Sequence, residues 1–438
     1  MIPPFTVGIA LGDKVSAVAT DETGTVVSRS ESELSGAKAI SDVIDRIHID
    51  RVEKVMVAGI FDSNGFPRPA EKIGVLRIAE PSSTCISPMS GWPRRFAHSV
   101  AGCVATVSGG HNFDGSPRSP LDSDAVARFA LDCRDKGIRA VAIVGTNSQS
   151  APGHEQQAAH IVMEIVGPHT HLVLGSTMPG IGVIERENTA AIEASLVSVV
   201  LRRVDAISSN LKRHGIDTEL HVVAGTGTLM SVAELIAHPS RVYQSYVASA
   251  LIGVAHEFGL DRSVVLYVNA DNVRVFTISD GIPHQTHSGT TVFGIPTTVA
   301  ALRGVVLDNR NPERIAECIE RIQLWMGDVP VVRIFPGDTT GNGRFDLPCV
   351  TDSALGGWTA ATGAAAAQVG GFTDRVFNFA DSTYGEAVRI AKSEAIDAAV
   401  RAGADPLRVE VARLTDTPLT YVASNSIRLS AMARGPLL

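Results

Sequence analysis

The sequence predicts an α/β fold built from two related halves. Two short runs of β-rich segments, opening near residues 5 and 263, each read as an antiparallel meander. Each is followed by alternating helix and strand patterns, and polar turns of the Asp-Gly kind punctuate both halves.

Taken in order, residues 5–10, 15–20 and 25–29 are strand-like and are separated by Gly12-Asp13 and Asp21-Glu22-Thr23-Gly24. Residues 37–47 read as a helix and 54–59 as an apolar strand. A Gly-, Asn- and Pro-rich loop (61–69) and a strand at 74–78 follow. Val126, Phe129, Ala130 and Cys133 fall at i, i+3, i+4 and i+7, one apolar stripe on a helix that Gly137 can end. Strands at 138–144, 171–174 and 219–223 then alternate with helices at about 154–166 and 189–214. The second meander comprises 264–268 and 273–278 around Asn269-Ala270-Asp271-Asn272. Helices at 312–326, 354–369 and 384–402 and strands at 329–335, 409–414 and 427–432 complete the reading. The predicted division is 1–180 for the first lobe and 181–380 for a shortened second lobe, with 381–438 as a helix and strands packed on that second lobe.

With 45% hydrophobic and 19% charged residues, a 438-residue chain can bury enough surface to offset its conformational entropy, which excludes disorder as the main state. The net charge of −8 and the lack of basic runs argue against a nucleic-acid partner. No run approaches 18 apolar residues and the first residues lack a signal-peptide pattern, so the expected location is cytoplasmic, away from membranes. Five scattered cysteines suit buried thiols better than a disulfide framework. His169/His171 and His284/His287 have no third ligand at a recognisable spacing, so no metal is expected.

Several stretches are more specific than periodicity. Ser108-Gly109-Gly110-His111-Asn112-Phe113-Asp114-Gly115, then Glu185-Arg186-Glu187-Asn188-Thr189-Ala190-Ala191-Ile192, Gly227-Thr228-Leu229-Met230-Ser231, Ala402-Gly403-Ala404-Asp405-Pro406 and Thr417-Pro418-Leu419-Thr420-Tyr421 occur in succession. In their order and spacing the chain resembles the short members of the hydantoinase/oxoprolinase A-subunit family. The resemblance implies a two-lobed actin/hexokinase/Hsp70-like fold, a duplicated ribonuclease H-like design. It also implies ATP-driven cyclic-amide hydrolysis or related carboxylation, with Mg²⁺ and usually a B-type second subunit.

Such lobes hold phosphates on Gly- and Thr-rich turns, because close backbone approach needs residues without bulk. Here Ala10 stands in place of the acid, and Asp13-Lys14 replaces the Gly-Thr pair after Gly12. Asn269-Ala270-Asp271-Asn272 occupies the second turn, and Gly337-Asp338 sits in a Gly-rich loop after the 329–335 strand. Gly12, Asp13, Asn269, Asp271, Gly337 and Asp338 therefore read as vestigial nucleotide positions, and no cofactor is expected. The catalytic candidates are His111 and Asp114, in a Gly-flanked loop, and Glu187, ahead of the long helix. Asn188 joins Thr226 and Thr228 of Gly225-Thr226-Gly227-Thr228 as ligand-loop candidates, since amides before a helix suit an anion.

The expected function is a divergent member with lost or altered ATPase chemistry, a pseudoenzyme serving as a non-catalytic or regulatory subunit or as a binder of a small cyclic amide or carboxylate. The alternative is an active cyclic-amide hydrolase acting on hydantoin, 5-oxoproline or a lactam through acids such as Glu187 and Asp114. A third reading is a pure assembly protein that mates with a B-type subunit or with itself.

Overall fold

A computed structural model describes residues 5–34, 36–47, 51–61, 71–81, 85–286, 289–308, 310–335, 347, 349–379, 383–419 and 426–438. The chain opens with β1 (Phe5–Leu11), β2 (Val15–Thr20), β3 (Val26–Ser32), α1 (Gly36–Arg46) and β4 (Val52–Ala58). An inserted unit follows: β5 (Ile73–Glu80), α2 (Arg94–Val100), β6 (Ala101–Ser108), α3 (Ser123–Asp135), β7 (Ala140–Gly145), α4 (Gly153–Val166) and β8 (His171–Leu174). The chain returns through the 31-residue α5 (Val183–Arg213) to β9 (Leu220–Val223), β10 (Leu229–Ser231) and α6 (Val232–Ala237).

α7 (Ser245–Phe258) leads into β11 (Ser263–Val268) and β12 (Val273–Ser279). Short strands β13 (Ile282–Pro283), β14 (Gln285–Thr286), β15 (Thr290–Val292), β16 (Ile295–Thr297), β17 (Ala301–Leu302) and β18 (Gly304–Leu307) come next. α8 (Pro312–Met326), β19 (Val331–Ile334), β20 (Val350–Asp352) and α9 (Thr359–Ala366) follow. The chain ends with β21 (Val369–Asn378), α10 (Tyr384–Arg401), β22 (Glu410–Leu419) and β23 (Ser426–Gly435).

Two sheets repeat one motif. In the first, β1 is antiparallel to β2 and parallel to β4, within the order β22-β23-β21-β10-β9-β4-β1-β2-β3. In the second, β11 is antiparallel to β12 and parallel to β19, within β13-β12-β11-β19-β20, with β18 added on β12. This is the two-lobed, duplicated actin-type arrangement. All six residues of β2 and all six of β11 are buried, so these strands read as continuous apolar runs rather than alternating ones. A third sheet, β6-β5-β7-β8, is wholly parallel; α3 and α4 pack together and α5 packs on β7.

Local chemistry fixes the ends. The Asp122 side chain accepts from Ala125 N to cap α3, and Gly137 at φ +67° lets the chain leave it. Asn311 caps α8, and Thr383 with Glu386 forms a capping box on α10.

The structure corrects three sequence expectations. The lobe bounds differ: β9, β10 and β21, all within 181–380, belong to the first sheet, and the C-terminal strands β23 and β22 join that sheet through β21. The long helix begins at Val183, not near residue 189, so Glu185 to Asn188 lie inside its first turns. α9 covers Thr359–Ala366, with Val369 already in a strand.

Candidate functional site

The two turns that hold phosphates in related lobes come first. Ala10 is fully buried, in one core cluster with Val18, Tyr246, Tyr267, Phe276 and Ala361. Tyr246, 7% exposed, lies against the first turn so closely that a Cβ on Gly12 would stand 2.6 Å from its ring. Burial, aided by the charges of Asp13 and Glu31, pushes the Tyr246 hydroxyl up to about 12, so it stays a neutral phenol. At the second turn Asn269 is closed on Asn272 by a backbone bond of 2.9 Å and a side-chain bond of 3.0 Å. Arg310 donates to the carbonyls of Asn269 and Ala270 at 2.5 and 2.6 Å, while Asp271 is exposed. Gly337 and Asp338 lie outside the described residues.

His111 and Asp114 sit beyond β6 and are not brought together. The His111 ring faces His154 with centroids 4.4 Å apart, and Asp114 accepts from Ser116 in an exposed turn. Glu187 is 1% exposed, and both its oxygens are engaged by Arg77, at 2.6 and 2.8 Å; Oε1 also accepts from Met89 N. Asn188 accepts from the Trp92 indole N–H at 2.7 Å and donates to Pro296 O at 2.9 Å. With their polar atoms so occupied, Glu187 and Asn188 tie the inserted unit and the β15–β16 hairpin to α5.

Thr226 and Thr228 do reach a concavity. They line a cavity of about 240 Å³ whose other walls come from the turn after β8 (Ser176–Pro179), α5 (Thr189, Glu193), His238, Ser240, Arg241, Thr298 and β21. Two hydroxyl pairs face each other, Thr226 with Thr228 at 2.8 Å and Thr189 with Thr298 at 3.0 Å. Glu193, 1% exposed, accepts from the Ser240 hydroxyl and lies 3.4 Å from His238 Nδ1. An ionised Glu193 accepts at both contacts, which places the His238 proton on Nδ1. Glu193, His238 and Ser240 were not picked out by sequence reasoning. The available signal was an acid inside the apolar run Ala190-Ala191-Ile192-Glu193-Ala194. Among the described residues no group of three His, Cys, Asp or Glu is placed to hold a metal ion, and no helix is long and apolar enough to cross a membrane.

Burial holds His171 and His221 below the usual imidazole range, and burial together with the neighbouring histidine does the same for His111. In the unfolded chain these rings titrate near 6.5, so between that value and the folded ones the unfolded state binds more protons. Their contribution is complete above about pH 6.5 and is lost as pH falls through the lower, folded values. The urea midpoint should therefore drop between about pH 7.5 and 5.5, and His221→Gln should flatten that slope. An unchanged slope in the variant would remove His221 from this account.

Sequence models of hydantoinase/oxoprolinase match twice: the N-terminal region at residues 15–166 and the hydantoinase/oxoprolinase domain at residues 186–303. No curated protein matches the chain significantly. Among solved structures, the chain is similar to ATP-dependent caprolactamase from Pseudomonas jessenii, with 13% identity, TM-score 0.66 and coverage of 99% of this chain and 88% of that one. It is also similar to nucleotide-free acetone carboxylase, with 12% identity, TM-score 0.64 and coverage of 100% and 88%. At such identities these two likenesses speak for the fold alone. The family models together span more than half of the residues, and the chain belongs to the hydantoinase/oxoprolinase family.

Proposed function

We propose that this protein binds a small cyclic amide or carboxylate in the Thr226–Thr228 cavity and no longer couples that binding to ATP. The observation that carries the reading is the packing of Tyr246 against the first turn, with Ala10 buried beneath it. Phosphate cradling needs free amides approached closely, and a phenol ring held against Gly12 opposes that approach. Titration calorimetry with Mg·ATP is expected to give no heat of binding up to about millimolar nucleotide. Micromolar affinity would sink the proposal. The same measurement with caprolactam should yield binding that Thr228→Val weakens.

A second reading, ring opening without ATP, draws on the Glu193–His238 pair, which offers a proton acceptor beside a cavity. It moves the working acid from Glu187 or Asp114 to Glu193. Ring opening of 5-oxoproline by the purified protein alone, lost in Glu193→Gln, would favour this reading over the first. Family membership supports assembly with a B-type subunit or with a second copy as part of the same proposal, tested by sedimentation with and without such a subunit.

A further inference from the structure

The charges around the cavity do not cancel. Glu234 pairs with Arg241, Arg375 pairs with Glu394, and Asp374 accepts from Arg428 Nε at 2.8 Å. Glu193 is different: among the described residues its partners are Ser240 and His238, with no lysine or arginine. His171 at the start of β8, which also senses it, is held below the usual imidazole range by burial, and among the described residues its buried Nε2 has no partner. An ionised carboxylate that is 1% exposed and lacks a cation is costly unless something supplies the charge.

The protons point the same way. Ser240 gives its hydroxyl proton to Glu193, and His238 gives its Nδ1 proton, so Ser240 Oγ and His238 Nε2 keep only lone pairs. Thr189 spends its proton on Glu185 O at 2.8 Å, so Thr298 must donate in the Thr189–Thr298 contact and also retains only acceptor capacity. This wall of the cavity accepts hydrogen bonds and carries one unmatched negative charge.

We propose that the ligand, whatever ring it contains, enters this cavity by a positively charged nitrogen, an ammonium or amidinium group, anchored on Glu193. The inference rests on the small-ligand reading above and narrows it, since a carboxylate would meet both like charge and acceptors. Besides Glu193 and His238, the charged groups lining the cavity are Glu234 and Arg241, which pair with each other, and Asp374 and Arg375 of β21, each paired with a residue outside it.

Three ligands of matched shape decide the matter by calorimetry on the full chain: cyclopentylammonium, 2-pyrrolidinone and cyclopentanecarboxylate. The ammonium is expected to bind roughly tenfold or more tighter than the carboxylate, as a charge-assisted bond requires. Glu193→Gln should level that preference, whereas Glu234→Gln, which removes a carboxylate already paired with Arg241, should keep it. If Glu193→Gln fails to fold, the order of the three affinities in the native chain is decisive on its own. Carboxylate or pyrrolidinone binding as tight as that of the ammonium overturns this inference and leaves the small-ligand reading standing. Binding of none of the three overturns both.

Discussion

Arg77→Met is expected to lower the folding free energy by about 3–5 kcal/mol, the cost of leaving a buried carboxylate without its partner. Arg77 is 0% exposed and meets Glu187 through two parallel bonds of 2.6 and 2.8 Å, the fork geometry that makes arginine hard to replace. It also donates to Ile86 O, and Glu187 accepts from Met89 N at 3.1 Å, so one pair fixes β5, the segment after it and α5. Removing only the cation strands the charge, whereas Arg77→Met with Glu187→Leu removes both. The double variant should recover much of the loss in chemical denaturation. A single variant within about 1 kcal/mol of the native chain would show that water reaches Glu187 and that the junction is looser than described.

Gly363→Ala should destabilise by a comparable amount, about 3 kcal/mol or more, although alanine is the better helix former by about 1 kcal/mol. α7 and α9 cross at contact distance between the two main sheets. A Cβ at Gly363 would stand 1.7 Å from Ser249 O, and one at Gly253 would stand 2.1 Å from Thr359 O. Both obstacles are backbone, so no side chain can swing aside and the helices must separate. On the other side of α9, a Cβ at Gly8 would stand 2.1 Å from Ala361 O, which leaves little room for the shift. A thermal midpoint equal to that of the native chain would contradict this packing. Gly385→Ala, where a Cβ meets open space, serves as the control that should be neutral or stabilising.

How legible these features were depended on whether an element has one wet face. α3 shows its apolar stripe in sequence because the opposite face is solvated, and its cap and glycine stop lie where the pattern places them. The meanders were readable from their polar turns, and the second recurs as β11–β12. α7 went unread. It is buried nearly all round, and its run Ser245-Tyr246-Val247-Ala248-Ser249-Ala250-Leu251 has no period to detect. β21 was missed for a similar reason, since Gly370-Gly371 sits in the strand where α10 approaches: a Cβ at Gly371 would lie 2.1 Å from Ala395 O.

The candidate site was legible only where it is a loop. Gly225-Thr226-Gly227-Thr228 announced itself by composition, and the structure places both threonines on the cavity. Glu193 was hidden in a helix whose acids at Glu185 and Glu187 drew the eye. Nothing local reveals that Glu187 meets an arginine 110 positions away while Glu193, among the described residues, meets none. Long-range partners are a property of the fold, and a sequence read in windows does not contain them.

The order of strands in the first sheet also governs how the chain is made. β1 to β4 emerge first from the ribosome, but the sheet they begin continues through β9 and β10 and is extended only by β21, β23 and β22, after the entire second lobe has been synthesised. Until then β10 has no partner on its outer side, an open edge of the kind that invites pairing with other chains. Completion of the first lobe is thus a late, long-range event in biosynthesis, and premature termination before residue 369 would release a product whose β10 edge is open.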